Sequence, residues 1–207
     1  MNTIITIGRQ FGSGGREIGI RLAKALNVPF YDKELLRKAA EKSGLCEKIF
    51  ENFDERPKSL LYSIAMDSYM FALPGAGAGD SLEQQVYLAT FNTIRHIAEQ
   101  GPCVIIGRCA GYLTREQDNA FSVFIHADMD KRIAAVMARD HINSRLKAKR
   151  KIEEIDEKRS TFRKEFTGEE WGQSKYYNLS IDTTHLSYQQ AADLILYYKK
   201  LAEEAQK

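Results

Sequence analysis

Four glycines fall within eight residues directly after the first apolar run of the chain, in Ile4-Ile-Thr-Ile-Gly8-Arg-Gln-Phe-Gly12-Ser-Gly-Gly-Arg16-Glu-Ile18. The β-branched run at residues 4–7 predicts a buried strand. Ile18, Leu22, Ala25 and Leu26 then recur at helical spacing, which predicts a helix over residues 15–26. A glycine turn between a first strand and a helix is the layout of a phosphate-binding loop. Its backbone can approach an anion closely and adopt φ > 0, and the helix adds its positive N-terminal end.

Gly12, Gly14 and Gly15 fit that need, with Ser13 as an added donor and Arg16 and Glu17 in the first helical turn. The usual pattern, GxxxxGK[ST], carries a lysine for the β/γ-phosphates and a hydroxyl for Mg²⁺. Here Gly15 stands at the lysine position and Arg16 at the hydroxyl position. Arg16 is the candidate for the missing charge, as a planar fork rather than a point charge. The competing reading is a glycine-rich strand–helix turn that binds nothing.

Further apolar runs alternate with helical patterns. Residues 29–31 are short and extended, and Asp32 reads as the N-cap of a helix over 33–42. Residues 103–106, 121–125 and 179–181 read as strands. Asp128 can cap the helix that follows the fourth run, and Ser187 with Gln190 forms a capping-box signature before the last helix. Alternation of this kind predicts an α/β fold with a mostly parallel sheet covered on both faces. Ligands then belong outside the carboxyl ends of the strands.

The chain has 207 residues, 43% hydrophobic, enough for one domain with a full core over residues 1–207. A net charge of +2 is too small to argue for nucleic acid by itself. Cys46, Cys103 and Cys109 are sparse and include no CxxC pair, which speaks against a disulfide framework or a zinc site. With no signal-peptide pattern and no run long enough for a membrane span, the expected location is cytoplasmic.

Two stretches break the rhythm. Residues 45–81 hold Phe53-Asp-Glu-Arg-Pro57, a helical pattern and the turn Pro74-Gly-Ala-Gly-Ala-Gly79. Residues 139–164 hold ten Lys/Arg against five Asp/Glu on one or two predicted helices.

The ordered set Gly12-Ser-Gly-Gly-Arg-Glu-Ile18, Phe30-Tyr-Asp32, Val104-Ile-Ile-Gly-Arg-Cys-Ala-Gly-Tyr112 and Tyr177-Asn-Leu-Ser-Ile-Asp-Thr183 resembles the cytidylate kinase-like family, a divergent branch of the P-loop nucleoside monophosphate kinases. The resemblance covers nearly the whole chain. It implies a three-layer fold with a five-stranded parallel sheet, a helical insert that grips the monophosphate (residues 45–81) and an arginine-rich helical lid that closes over ATP (residues 139–164). It implies ATP and Mg²⁺ as cofactors and a small acceptor, CMP or dCMP. Arg108 matches the arginine that contacts the acceptor phosphate. Tyr31-Asp32 matches the segment whose aspartate faces the reacting centre. Asp156, Arg159 and Arg163 approximate the spaced lid residues. Where ordinary cytidylate kinases have Asp-Gly-Arg-Asp after the third motif strand, this chain has Ile106-Gly-Arg-Cys109.

Phosphoryl transfer needs charge neutralisation, which arginines supply. Arg16, Asp32, Arg139, Arg159 and Arg163 are therefore the predicted catalytic set, and the alternative for the lid arginines is a solvated helix face. Asp32, Gln85 and Arg108 are the predicted acceptor contacts. A glutamine amide can read a pyrimidine edge, but Gln84 and Gln85 also fit an ordinary helix surface. Asp54 and Glu55 either hold a base or sugar or lie in a surface turn. His126 either caps the next helix or meets a nucleotide, and Cys109 reads as a spectator. Trp171, Tyr176 and Tyr177 read as packing. Metal ligands stay unassigned.

Two other functions remain open from the sequence. One is a kinase of another small molecule on the same fold. The other is a nucleotide-binding module without turnover. RNA binding through residues 145–151 is a weaker idea. A homo-oligomer through an apolar face on residues 58–73 is also open.

Overall fold

The computed structural model describes residues 3–32 and 82–205, with the side chains of 82–90 excepted. Five strands form one parallel sheet: β1 (Ile4–Arg9), β2 (Phe30–Tyr31), β3 (Cys103–Ile106), β4 (Ala120–His126) and β5 (Leu179–Asp182), in the spatial order β2-β3-β1-β4-β5. The helices are α1 (Gly15–Leu26), α2 (Leu82–Gln100), α3 (Ala110–Leu113), α4 (Met129–Asp140), α5 (Arg145–Thr167) and α6 (Tyr188–Glu204).

Alternation along the strands decides the layering. Ile5, Ile7, Val104, Ile106, Val123 and Ile125 face one way, against Ile18 and Leu22 of α1 and Ala191 and Ile195 of α6. Ile4, Cys103 and Ile105 face the other way, against Ile94, Ile97 and Ala98 of α2 and Ala110 of α3. Both faces are therefore covered, and β3 reads Cys-Val-Ile-Ile, apolar and buried at every position, as a strand covered on both faces requires. Each fully buried isoleucine contributes roughly 1.5–3 kcal/mol.

β4 and β5 each run one residue beyond the expected C-terminal end. The Ser187–Gln190 capping box forms in full at α6. Asp128 takes the N-cap position of α4, but its side chain makes no capping hydrogen bond. That position also corrects the expectation for His126. Its residue closes β4, two positions short of the cap, and its ring lies beside Phe124 with centroids 6.4 Å apart. The expected helix over 33–42 and the segment 45–81, with Asp54 and Glu55, lie outside the described residues.

The basic segment resolves into the end of α4 and nearly all of α5. Ile133 and Val136 of α4 pack on Ala148 and Ile152 of α5, and Phe11 leans on this cluster. The helix pair is thereby seated beside the glycine turn. No helix among the described residues is long and apolar enough to cross a membrane.

Candidate phosphate-binding site

The glycine turn is held from three sides. The Gln10 amide donates to Ile125 O (2.9 Å), and the Gln10 side-chain oxygen accepts from the Ala127 amide (3.2 Å). Thr183, just past β5, donates its hydroxyl to Ser13 O (2.9 Å). The Phe11 amide donates to Asp156 Oδ1 on α5 (2.7 Å). The turn is thus anchored to the ends of β4 and β5 and to α5, and its shape does not depend on a ligand.

Ser13 does not serve as the added side-chain donor that the sequence suggested. Its buried hydroxyl donates to Gln10 O (2.9 Å) and Ile125 O (3.1 Å). A buried hydroxyl must find partners within the protein, and these carbonyls draw it inward.

Gly14 is the N-cap of α1, with φ 87° and no side-chain cap. A Cβ at this position would lie 2.1 Å from the ring of Tyr188, so only glycine fits. The uncapped first turn presents amide groups and the positive end of the helix, which is the physical basis of anion binding. Glu17 lies in that turn and influences the titration of both Arg139 and Tyr188.

Arg16 and Asp32 meet. Arg16 Nε and Nη2 both donate to Asp32 Oδ2, at 3.1 and 2.9 Å, with the guanidinium half-exposed and 5.8 Å from the Phe30 ring. The charge that the sequence assigned to the loop is therefore directed at a carboxylate at the end of β2.

A cavity of about 280 Å³ opens at the carboxyl ends of β1 and β3 under α5. Among the described residues its lining includes Arg9, Arg108, Lys158, Arg159 and Arg163 and no aspartate or glutamate. Phe11, Phe162, Trp171 and Tyr177 supply aromatic walls. Arg108 sits in a sharp turn in which Gly107, Arg108 and Cys109 have φ of 74°, 57° and 55°. Two non-glycine residues in the left-handed region cost roughly 1–2 kcal/mol each. Such strain collects at functional sites, and here it aims Arg108 toward the cavity. Burial pushes the Cys109 thiol up to about 11, against the opposing influence of Arg163.

The three predicted lid arginines divide in their surroundings. Arg159 donates to Arg9 O (3.0 Å) and stands 3.7 Å from Asp156; burial pulls its guanidinium down to about 10, with Asp156 opposing. Arg163 is buried in the cavity wall, ion-paired to Glu169 and near Tyr177, and its Nε finds no hydrogen-bond partner among the described residues. Arg139 is bidentate to Asp140 (2.7 and 3.1 Å) and stacks 4.6 Å over Phe11. Arg159 lies 5.5 Å from the same ring. Phe11 therefore gathers two of the three beside the glycine turn.

Residues 4–185 match the cytidylate kinase-like family. The chain belongs to that family. An uncharacterized protein from Eubacterium ventriosum is similar in structure, with 28% identity, TM-score 0.72 and coverage of 96% of this chain and 98% of that one. Shikimate kinase from Bacteroides thetaiotaomicron (15% identity, TM-score 0.52, 98% and 99% covered) and a gluconokinase from Sinorhizobium meliloti (13%, 0.52, 99% and 96%) share the fold. No curated protein matches. The five-stranded parallel α/β architecture of this cytidylate kinase-like protein is thus that of the P-loop kinases.

Several residues at the centre of the site escaped the sequence reading: Arg9, Phe11, Arg132 and Tyr188. Arg9 carried a usable signal, because it directly follows the apolar core of β1 at the edge where ligands bind. Gln84 and Gln85 fall on α2, but their side chains lie outside the described residues. Lys147, Lys149, Arg150 and Lys151 lie on an exposed stretch of α5, with Lys149 near Glu153 and Lys151 near Asp140. Tyr176 lies beside a second cavity, of about 310 Å³.

Proposed function

We propose that this protein transfers the γ-phosphoryl group of ATP to a small anionic acceptor, with CMP or dCMP as the leading candidates. The observation that carries this reading is the adjacency of an uncapped helix N-terminus and a cavity whose described lining holds five cations and no carboxylate. Arg159, Arg163 and Lys158 have carboxylate partners outside the lining, yet the face turned to the cavity is cationic and suits an anion. A nucleoside monophosphate brings a dianion for the arginines and a flat base for the aromatic walls.

The backbone of residues 12–17 holds the donor phosphates. Arg108 holds the acceptor phosphate, with the bidentate geometry that suits a guanidinium. Arg139, Arg159 and Arg163 offset the charge that builds up during transfer, and Gln85 and residues 45–81 complete the acceptor side. No group of three His, Cys, Asp or Glu among the described residues could hold a metal ion alone. A Mg²⁺ ion fits as a guest of nucleotide oxygens and water, with Asp32 as the protein carboxylate. When bound it would neutralise phosphate charge. Arg16 orients Asp32 for that place.

An ADP-release assay with ATP and Mg²⁺ tests the reading. The panel is CMP, dCMP, UMP, AMP, gluconate and shikimate. Turnover with CMP or dCMP supports it. Turnover only with a hydroxy acid shifts the protein to another small-molecule kinase on the same fold. ATP-dependent thermal stabilisation without ADP release on any acceptor identifies a nucleotide-binding module instead.

A further inference from the structure

Arg9 is a cation of the site that no carboxylate among the described residues claims. Its stem passes the loop backbone so closely that a Cβ on Gly15 would lie 2.7 Å from Arg9 Cβ. Its head reaches the turn after β3, where a Cβ on Gly107 would lie 2.0 Å from Arg9 Nη1. Two glycines therefore make the channel through which this side chain runs from the phosphate loop to the cavity.

Other arginines around the loop and the cavity are already matched. Arg16 has Asp32, Arg132 and Arg159 have Asp156, Arg163 has Glu169, and Arg139 has Asp140. The Arg9 guanidinium makes no hydrogen bond or ion pair with any described residue, and it lines the cavity. Burial, then Arg159 and Arg108, pull its pKa well below the ordinary value, and Asp156 and Asp32 only partly offset them. A cation kept in such a place costs the apo protein stability.

We propose that Arg9 is a catalytic residue: its guanidinium binds the oxygens of the phosphoryl group in transit, at the boundary between the glycine loop and the cavity. It supplies the charge that a lysine supplies in the usual loop, from the strand before the turn rather than from the helix after it. The inference rests on the phosphoryl-transfer reading above. Arg9 moves no proton in this role. It stabilises charge on an anion shared by the donor and acceptor sides.

The test uses the full chain with Arg9→Met and Arg9→Lys, and pyrophosphate as the probe. Arg9→Met is expected to bind pyrophosphate about tenfold or more weakly by calorimetry, the loss expected for one charge-assisted contact. Its melting temperature without ligand is expected to equal or exceed that of the wild type, because an unmatched cation is gone. Arg9→Lys is expected to recover most of the binding. If Arg9→Met melts well below the wild type or fails to fold, the guanidinium is structural and the proposal falls. It also falls if pyrophosphate binding is unchanged. A wild type that releases no ADP over the acceptor panel would refute the kinase reading, while the pyrophosphate comparison would still decide the role of Arg9 in anion binding.

Discussion

Asp156 accepts the Phe11 amide hydrogen with one carboxylate oxygen, at 2.7 Å, and faces Arg132 of α4 with the other. One side chain thus joins the glycine turn, α4 and α5. Burial raises the pKa of Asp156, and the Phe11 amide, Arg132 and Arg159 oppose that shift. The position of the basic helix relative to the loop depends on this buried carboxylate.

Removing Asp156 leaves the buried Arg132 without its partner, and removing Arg132 leaves Asp156 with only Arg159 and the Phe11 amide, so each change costs about 3 kcal/mol. Arg132→Met and Asp156→Leu are each expected to show a loss of that size in urea unfolding at pH 7. The double variant is expected to lose much less than the sum, because neither orphaned charge of the pair remains. Additive losses would mean that the two side chains act independently.

The parts of this protein legible in the sequence are those set by local chemistry. The β-branched core of β1, the glycine turn and the Ser187–Gln190 box each depend on neighbours a few residues away, and all form where expected. What stayed hidden depends on the chain folding back. Nothing near Ser13 reveals that Ile125 O will take its hydroxyl. Nothing near Gly14 reveals that Tyr188 will lie against it. Arg16 and Asp32 were read as separate site residues; parallel strand packing brings their side chains together. Arg9 closes the strand before the glycines, outside the span that a phosphate-loop pattern covers.

Gly14→Ala tests the close approach of α6 to the loop. The variant would suffer both a left-handed backbone, roughly 1–2 kcal/mol, and a collision with the Tyr188 ring. Thermal unfolding is expected to show a clear loss. Adding Tyr188→Ala is expected to relieve the collision and leave the backbone cost. If the double variant is no better than the sum of the singles, the ring moves aside freely and does not constrain the loop.

Arg16→Ala separates loop charge from loop stability. The guanidinium is 57% exposed, and exposed ion pairs contribute about 0–1 kcal/mol. Stability is therefore expected to change by less than about 1 kcal/mol. ATP affinity by calorimetry is expected to fall by about threefold to tenfold, a modest loss because Arg16 is shared with Asp32. Unchanged ATP affinity would leave Arg16 with no part in holding phosphate.

Cys109 reports on the cavity from inside. Its thiol is pushed up to about 11, chiefly by burial, so below that pH it stays protonated and unreactive. The thiolate fraction at pH 8 is therefore far below that of a free thiol, while the more basic thiolate is the better nucleophile and recovers part of the rate. Iodoacetamide at pH 8 is expected to alkylate Cys109 slower than glutathione by about tenfold or more, with the rate rising about tenfold per pH unit toward pH 10. Trypsin cleaves after Arg108, so mass spectrometry reads Cys103 and Cys109 on separate peptides. Cys103, also near 11 through burial, serves as the internal control outside the cavity lining. An anion seated among Arg9, Arg108, Arg159 and Arg163 is expected to slow Cys109 further and leave Cys103 unchanged. Alkylation of Cys109 at the rate of a free thiol would show that the field of Arg163 and Arg108, not burial, controls this side of the cavity.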